Sequence, residues 1–145
     1  MSACTFFGHS DCYGLDADVL RQTIEQLIVQ GVDTFYVGNQ GDFDRTVFTC
    51  LKKMKDIYPN IYISVVLAYL PEKKAEYDPY DGYSMYPELE GCPLRFAIDR
   101  RNKWMINAAD WCVVKIDKTF GGAYKFACLA KHRGLQIINL GNYEL

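Results

Sequence analysis

Five short apolar runs, at residues 4–8, 34–38, 61–67, 111–116 and 135–140, alternate along this chain with segments whose apolar residues recur at helical spacing. The runs are near-continuously apolar rather than apolar only at every second residue, as expected of strands covered on both faces. Parallel strands need long crossover connections, and the helical segments between the runs supply them. The expected fold is therefore an α/β, Rossmann-like three-layer domain. With 145 residues, 50% hydrophobic and 23% charged, the chain suits a single domain over 1–145.

The helical segments are marked individually. Leu20, Ile24, Leu27 and Ile28 form one stripe, with Asp16 placed to cap its start and Gly31 its end. Val47, Cys50, Leu51, Met54 and Ile57 form a second, stopped near Pro59. A third helix is expected after Pro93, carrying Ile98, Met105 and Ala108. A fourth follows Gly122, with Ala123, Phe126, Ala127 and Ala130 on its inner side and His132 near its end.

Glycine-bearing loops follow the first, second and fourth runs: Gly8-His9-Ser10-Asp11, Gly38-Asn39-Gln40-Gly41-Asp42 and Thr119-Phe120-Gly121-Gly122-Ala123. Glycine lets backbone approach a ligand, and the helix N-terminus beyond it favours an anion. The third run leads instead into Ala68-Tyr69-Leu70-Pro71, so its strand should stand away from the site. A five-stranded parallel sheet of order 3-2-1-4-5 satisfies this. It places the topological switch, where open α/β sheets bind ligands, between strands one and four.

Charge and cysteines narrow the chemistry. Sixteen basic against eighteen acidic residues give a formal charge of −2, so the chain has no general attraction for nucleic acid. The cluster Arg95, Arg100, Arg101 and Lys103 suits one small phosphorylated ligand. The six cysteines, Cys4, Cys12, Cys50, Cys92, Cys112 and Cys128, stand singly, which fits free thiols better than a disulfide framework or a metal site. No apolar run approaches the roughly 20 residues of a membrane span, and the N-terminus carries no secretory pattern. A soluble, cytoplasmic protein is expected.

Phe7-Gly8-His9, the stretch from Val37 to Arg45 (Val-Gly-Asn-Gln-Gly-Asp-Phe-Asp-Arg), the Arg-Asn-x-x-Met segment at 101–105, and Gly121-Gly122-Ala123 together resemble the SLOG superfamily, most of all its small YpsA-like bacterial proteins. The similarity runs over nearly the whole chain. It implies a nucleotide or nucleotide-sugar pocket lined by the glycine loops and the Arg-Asn segment, without a cofactor. The phosphoribohydrolase branch carries a Gly-Gly-x-Gly-Thr-x-x-Glu signature with a catalytic glutamate. Here Arg101 matches the arginine position of that branch, but the segment 121–128 lacks the second glycine, the threonine and the glutamate, and Cys128 cannot inherit the role. Ser10 also stands where the YpsA-like branch often has a basic residue.

The ligand-contacting candidates are therefore Gly8, His9, Ser10, Gly38, Asn39, Gly41, Asp42, Arg101, Asn102, Thr119, Gly121 and Gly122, with Arg101 and Asp42 as catalytic candidates. Asp44 and Asp11 are further sources of the carboxylate that N-glycoside cleavage commonly needs. Each has a plainer reading. The glycines serve tight turns, and Arg101 is a solvated charge or a partner of Asp110. Asn39, Ser10 and Thr119 cap helices or stabilise turns, and Asp42 or Asp44 caps the second helix.

One connection is unusually long. Tyr69, Tyr77, Tyr80, Tyr83 and Tyr86 punctuate residues 69–92, and tyrosine suits stacking on a base or packing in an interface. A lid over the nucleotide, a homodimer surface and a cover for the sheet edge are three readings of it. Three functions follow: binding or sensing of a nucleotide-derived phosphorylated ligand, N-glycosidic hydrolysis of a nucleoside 5′-monophosphate, and a protein-interaction module.

Overall fold

The computed structural model describes residues 2–9, 14–69, 83–87 and 93–145, with the side chain of Leu94 excepted. Strands β1 (Ser2–Gly8), β2 (Val32–Val37), β3 (Tyr62–Val66), β4 (Ser84–Met85), β5 (Trp111–Lys115) and β6 (Gln136–Asn139) form one sheet in the order β4-β3-β2-β1-β5-β6. Every pairing is parallel. Among the described residues the sheet has six strands where five are expected, so the order differs from 3-2-1-4-5. Ser84–Met85, from the tyrosine-bearing connection, pairs with Val65 and Val66 and takes the edge beside β3. A two-residue strand has too little pattern to be seen as a sequence run.

Among the described residues four helices cover the sheet: α1 (Ala17–Val29), α2 (Gly41–Ile57), α3 (Ala97–Ala108) and α4 (Gly122–His132). Asp16 caps α1 as expected, its Oδ1 accepting from the amides of Asp18 and Val19 at 2.9 and 3.3 Å. At the end of α2, Lys55 donates to the carbonyls of Pro59 and Ile61, satisfying chain-reversal carbonyls that the helix cannot. A short 3-10 turn, Leu94–Phe96, leads into α3.

Alternation along β1 divides the core. Cys4 and Phe6 belong to the cluster under α1 and α2, with Leu20, Ile24, Leu27, Phe43, Leu51 and Met54. Phe7 belongs to the cluster under α3 and α4, with Met105, Ile106, Phe126, Ala127 and Ala130. Phe6 stacks on Phe35 and Phe7 on Phe126, at centroid distances of 6.2 and 5.8 Å. Each such side chain contributes roughly 1.5–3 kcal/mol by leaving water. The α2 stripe is turned from its expected setting: Phe43 and Phe48 join Val47, Leu51 and Met54 in the core, while Cys50 is half-buried and Ile57 is exposed. A helix covering two strands buries a broader face than a single line of residues.

Among the described residues Cys4, Cys50, Cys112 and Cys128 are free thiols. Burial raises the pKa of Cys4 and Cys112 far above the ordinary thiol range, which makes both inert. Cys12 and Cys92 lie outside the described residues.

Gly8, at the end of β1, shows how tightly the site end of the sheet is packed. A Cβ there would fall 2.3 Å from the ring of Phe43, which is fully buried. Gly8→Ala is expected to destabilise the fold by about 1–3 kcal/mol, measured by urea unfolding. Phe43→Leu, which withdraws the ring, should recover part of that loss in the double variant.

Candidate functional site

The chain leaves β1 and β5 toward opposite sides of the sheet, and a cleft of about 350 Å³ opens where the two paths part. Its wall is built from the end of β1 (Phe6 to His9), the start of α2 (Gln40 and Asp44), one side of α3 (Ile98, Arg101, Asn102 and Met105), and the segment entering α4 (Lys118 and Phe120 to Ala123).

Gly121 precedes α4 at φ 92° with no capping side chain. A side chain would be strained in that conformation. Among the described residues the first amides of α4 thus meet no side-chain acceptor at the cleft end, which is the arrangement helix termini use for anions. A Cβ at Gly122 would meet nothing within 4 Å, so the approach is open. Phe120, 65% exposed, stands at the mouth.

Behind this opening lies a polar core. Arg101 is only 2% exposed. Its Nη1 donates to the Val66 carbonyl at 2.9 Å and to Asn39 Oδ1 at 3.1 Å, and its Nε to Asn102 Oδ1 at 2.8 Å. Burial lowers its pKa, yet a guanidinium keeps its charge in a protein. Held in this way, Arg101 lines the back of the cleft.

Asp44 lies close by: a Cβ built on Gly38 would sit 2.8 Å from Asp44 Oδ2 and 3.0 Å from Arg101 Nη1. Asp44 accepts from the Gln40 amide at 2.9 Å and so caps α2. Burial pushes its carboxyl up to about 6, against the Gln40 amide and Arg101, which both pull it down.

The structure brings together Gly8, His9, Arg101, Asn102, Gly121 and Gly122 from the residues expected at a site. Gly38, Asn39, Gly41, Asp42 and Thr119 do not line this cleft. Gly38 makes room for Asp44 and Arg101, and Asn39 holds Arg101 from behind. Gly41 is the exposed first residue of α2, and Thr119 is exposed on the loop before α4.

Asp42 points to solvent and pairs with Arg45 at 3.3 Å, both side chains more than half exposed. The two-residue step from Asp42 to Asp44 turns the helix by about 200°, which puts the carboxylates on different sides. Ser10 and Asp11 lie outside the described residues. Arg101 is neither a solvated charge nor a partner of Asp110, which instead accepts from the Ala3 amide at 3.1 Å. Of the expected basic cluster only Arg101 enters the cleft: Arg95 lies over the Phe96 ring, while Arg100 and Lys103 are exposed.

Lys118, Phe120 and Gln40 went unread as site residues. Phe120 carried a signal, an aromatic directly before the glycine pair.

Residues 83–87 of the tyrosine-bearing segment cover the sheet edge, with Tyr83 edge-on to Phe48 at 6.0 Å. The lid and homodimer readings fall largely on 70–82 and 88–92, outside the described residues.

DNA processing protein A (DprA) from Streptococcus pneumoniae superposes with a TM-score of 0.72 and 15% identity, over 100% of this chain and 52% of that one. The fold is Rossmann-like. At that identity the likeness is one of architecture alone, and this chain spans about half the length of DprA. A probable mandelate racemase from Alicyclobacillus acidocaldarius aligns at a TM-score of only 0.32, with 20% identity over 99% of this chain and 43% of that one. Neither the protein-family models nor the curated proteins contain a match to the sequence. No helix among the described residues is long and apolar enough to cross a membrane.

The Asp44 carboxyl gives this site a pH signature. Its folded pKa is raised from 3.8 to about 6, so the folded state binds the proton more tightly than the unfolded chain. That stability is present below pH 4 and is lost as pH rises through 6. Asp44→Asn removes the titration. Its stability relative to the parent should therefore rise between pH 4 and pH 8, by up to about 3 kcal/mol, measured by chemical denaturation at both values.

Proposed function

We propose that this protein binds a nucleotide-derived phosphorylated ligand in the cleft between β1 and β5, as a YpsA-like member of the SLOG group. The observation that carries the reading is the start of α4, where glycine-flanked amides without a capping side chain open onto a cleft backed by a buried guanidinium. Dipole, amides and Arg101 all favour an anion there. Phe120 at the mouth supplies an aromatic face on which a base can stack. A volume of about 350 Å³ lies within the range of small-molecule sites, roughly 300–1,000 Å³.

Asp44 supports a second reading, N-glycosidic hydrolysis. A carboxyl held near pH 6 beside a guanidinium, in the wall of the same cleft, suits proton transfer near neutrality. It would stand in for the glutamate missing from the α4 segment. The protein-interaction reading rests on the tyrosine-bearing segment, most of which lies outside the described residues.

Gly122→Asp separates the site from the fold. An acid in the first turn of a helix contributes about 0.3–1 kcal/mol, and the position has open space, so the variant should melt at or slightly above the parent temperature. The new carboxylate meets any bound phosphate, and affinity should fall more than about tenfold. Native mass spectra with nucleoside monophosphates, NAD, ADP-ribose and cyclic nucleotides, with the same solutions assayed for cleavage, measure both readings. An intact adduct lost in Gly122→Asp is the expected result. Release of base and ribose phosphate, abolished in Asp44→Asn, would establish the hydrolase instead, and equal binding by Gly122→Asp would remove the phosphate site.

A further inference from the structure

A second hollow adjoins the cleft on the β6 side of β5. His9 and Lys118 line both, and the second is otherwise bordered by Gly14, Lys115, Asp117, Leu140 and Asn142. At its centre Asp117 is gripped from behind. Oδ2 accepts from the ammonium of Lys115, a side chain only 6% exposed, and Oδ1 accepts from the Asn142 amide at 2.9 Å. Lys115, the last residue of β5, is buried with Asp117 as its partner.

A carboxylate offers about four acceptor positions, and two of these are used among the described residues. The Asp117 side chain remains 33% exposed at the hollow, with half-buried Leu140 beside it as an apolar surface. The Lys115 hydrogen bond, foremost, and then the Asn142 amide and the nearby charges of Lys115 and His9 lower the Asp117 pKa, so it is an acceptor throughout the neutral range. Lys115 cancels its charge and Lys118 adds a positive one, which makes the hollow a poor host for a cation. It suits a neutral group with two adjacent O–H donors and a C–H face, which is the description of a ribose cis-diol.

We propose that Asp117, oriented by Lys115 and the Asn142 amide, forms a cis-diol subsite continuous with the anion-favouring start of α4, so that the ligand is a ribose 5′-phosphate with unsubstituted 2′- and 3′-hydroxyls. This rests on the phosphate-binding reading above and adds to it a choice between ribose and deoxyribose compounds. Cyclic and 3′-phosphorylated nucleotides are disfavoured because one or both hydroxyls are spent.

The test is calorimetric titration of the whole protein with the four ribonucleoside 5′-monophosphates, their 2′,3′-dideoxy counterparts and ribose 5-phosphate. The best-bound ribonucleotide should lose roughly ten- to hundredfold in affinity when its diol is removed, the worth of hydrogen bonds to a charged group. Asp117→Asn, which keeps an acceptor for the Asn142 amide, should narrow that ratio several-fold by weakening the ribonucleotide alone. Equal affinity of ribo- and dideoxy-nucleotides for the parent protein overturns the diol subsite while leaving the phosphate site standing. Absence of binding by every compound overturns both. The ligand comparison uses the parent protein, so it decides the matter even if Asp117→Asn melts early.

Discussion

A guanidinium enclosed at 2% exposure organises the cleft end of this molecule. Leaving such a charge without acceptors would cost several kcal/mol, so the segments around Arg101 are arranged to satisfy it. The carbonyl of Val66, the last residue of β3, turns toward it, the loop after β2 offers Asn39, and the next residue of α3 offers Asn102. These bonds tie three separate parts of the chain to one planar group. Gly38 has no side chain because that space is taken by Arg101 and Asp44. The cleft is held by a polar knot, whereas the sheet beneath it is held by apolar packing.

Asp44 is the counterpart of that knot. It completes the start of α2 through the Gln40 amide while remaining in the cleft wall. Its burial raises its pKa to about 6 despite the neighbouring cation. One carboxyl therefore serves helix capping and charge regulation together. An anionic ligand brought beside Asp44 further favours its protonated form, which links occupancy of the cleft to pH. The Lys115–Asp117 pair on the other side of β5 behaves oppositely, holding its carboxylate charged. Two acids of the same type are thus set apart by whether desolvation or a close cation dominates.

The layered fold was legible because it rests on repeated local choices. Continuous apolar runs marked β1, β2, β3, β5 and β6, and Asp16 marked the start of α1. Strand β4 was not, since two residues show no period and the strand exists only by pairing with β3. Gly8, His9, Arg101, Asn102, Gly121 and Gly122 were read as site residues and do line one cleft. Asp42 was read with them and lies outside it, because helix rotation separates it from Asp44. Spacing within a loop does not say which residue a helix turns inward.

The amino-acid sequence by itself determined the alternation of strand and helix, the phosphate-compatible character of the third glycine loop, and the presence of an arginine suited to an anion. Those properties belong to short stretches whose conformational preferences act locally. Only the tertiary structure decided that Arg101 is buried rather than solvated, that Gly8 and Gly38 yield space to Phe43 and to Arg101 with Asp44, and that Asp117 faces a hollow joined to the cleft. Burial, steric room and the pKa of a carboxyl depend on neighbours tens of residues away, and these are fixed only when the sheet brings the ends of its strands together.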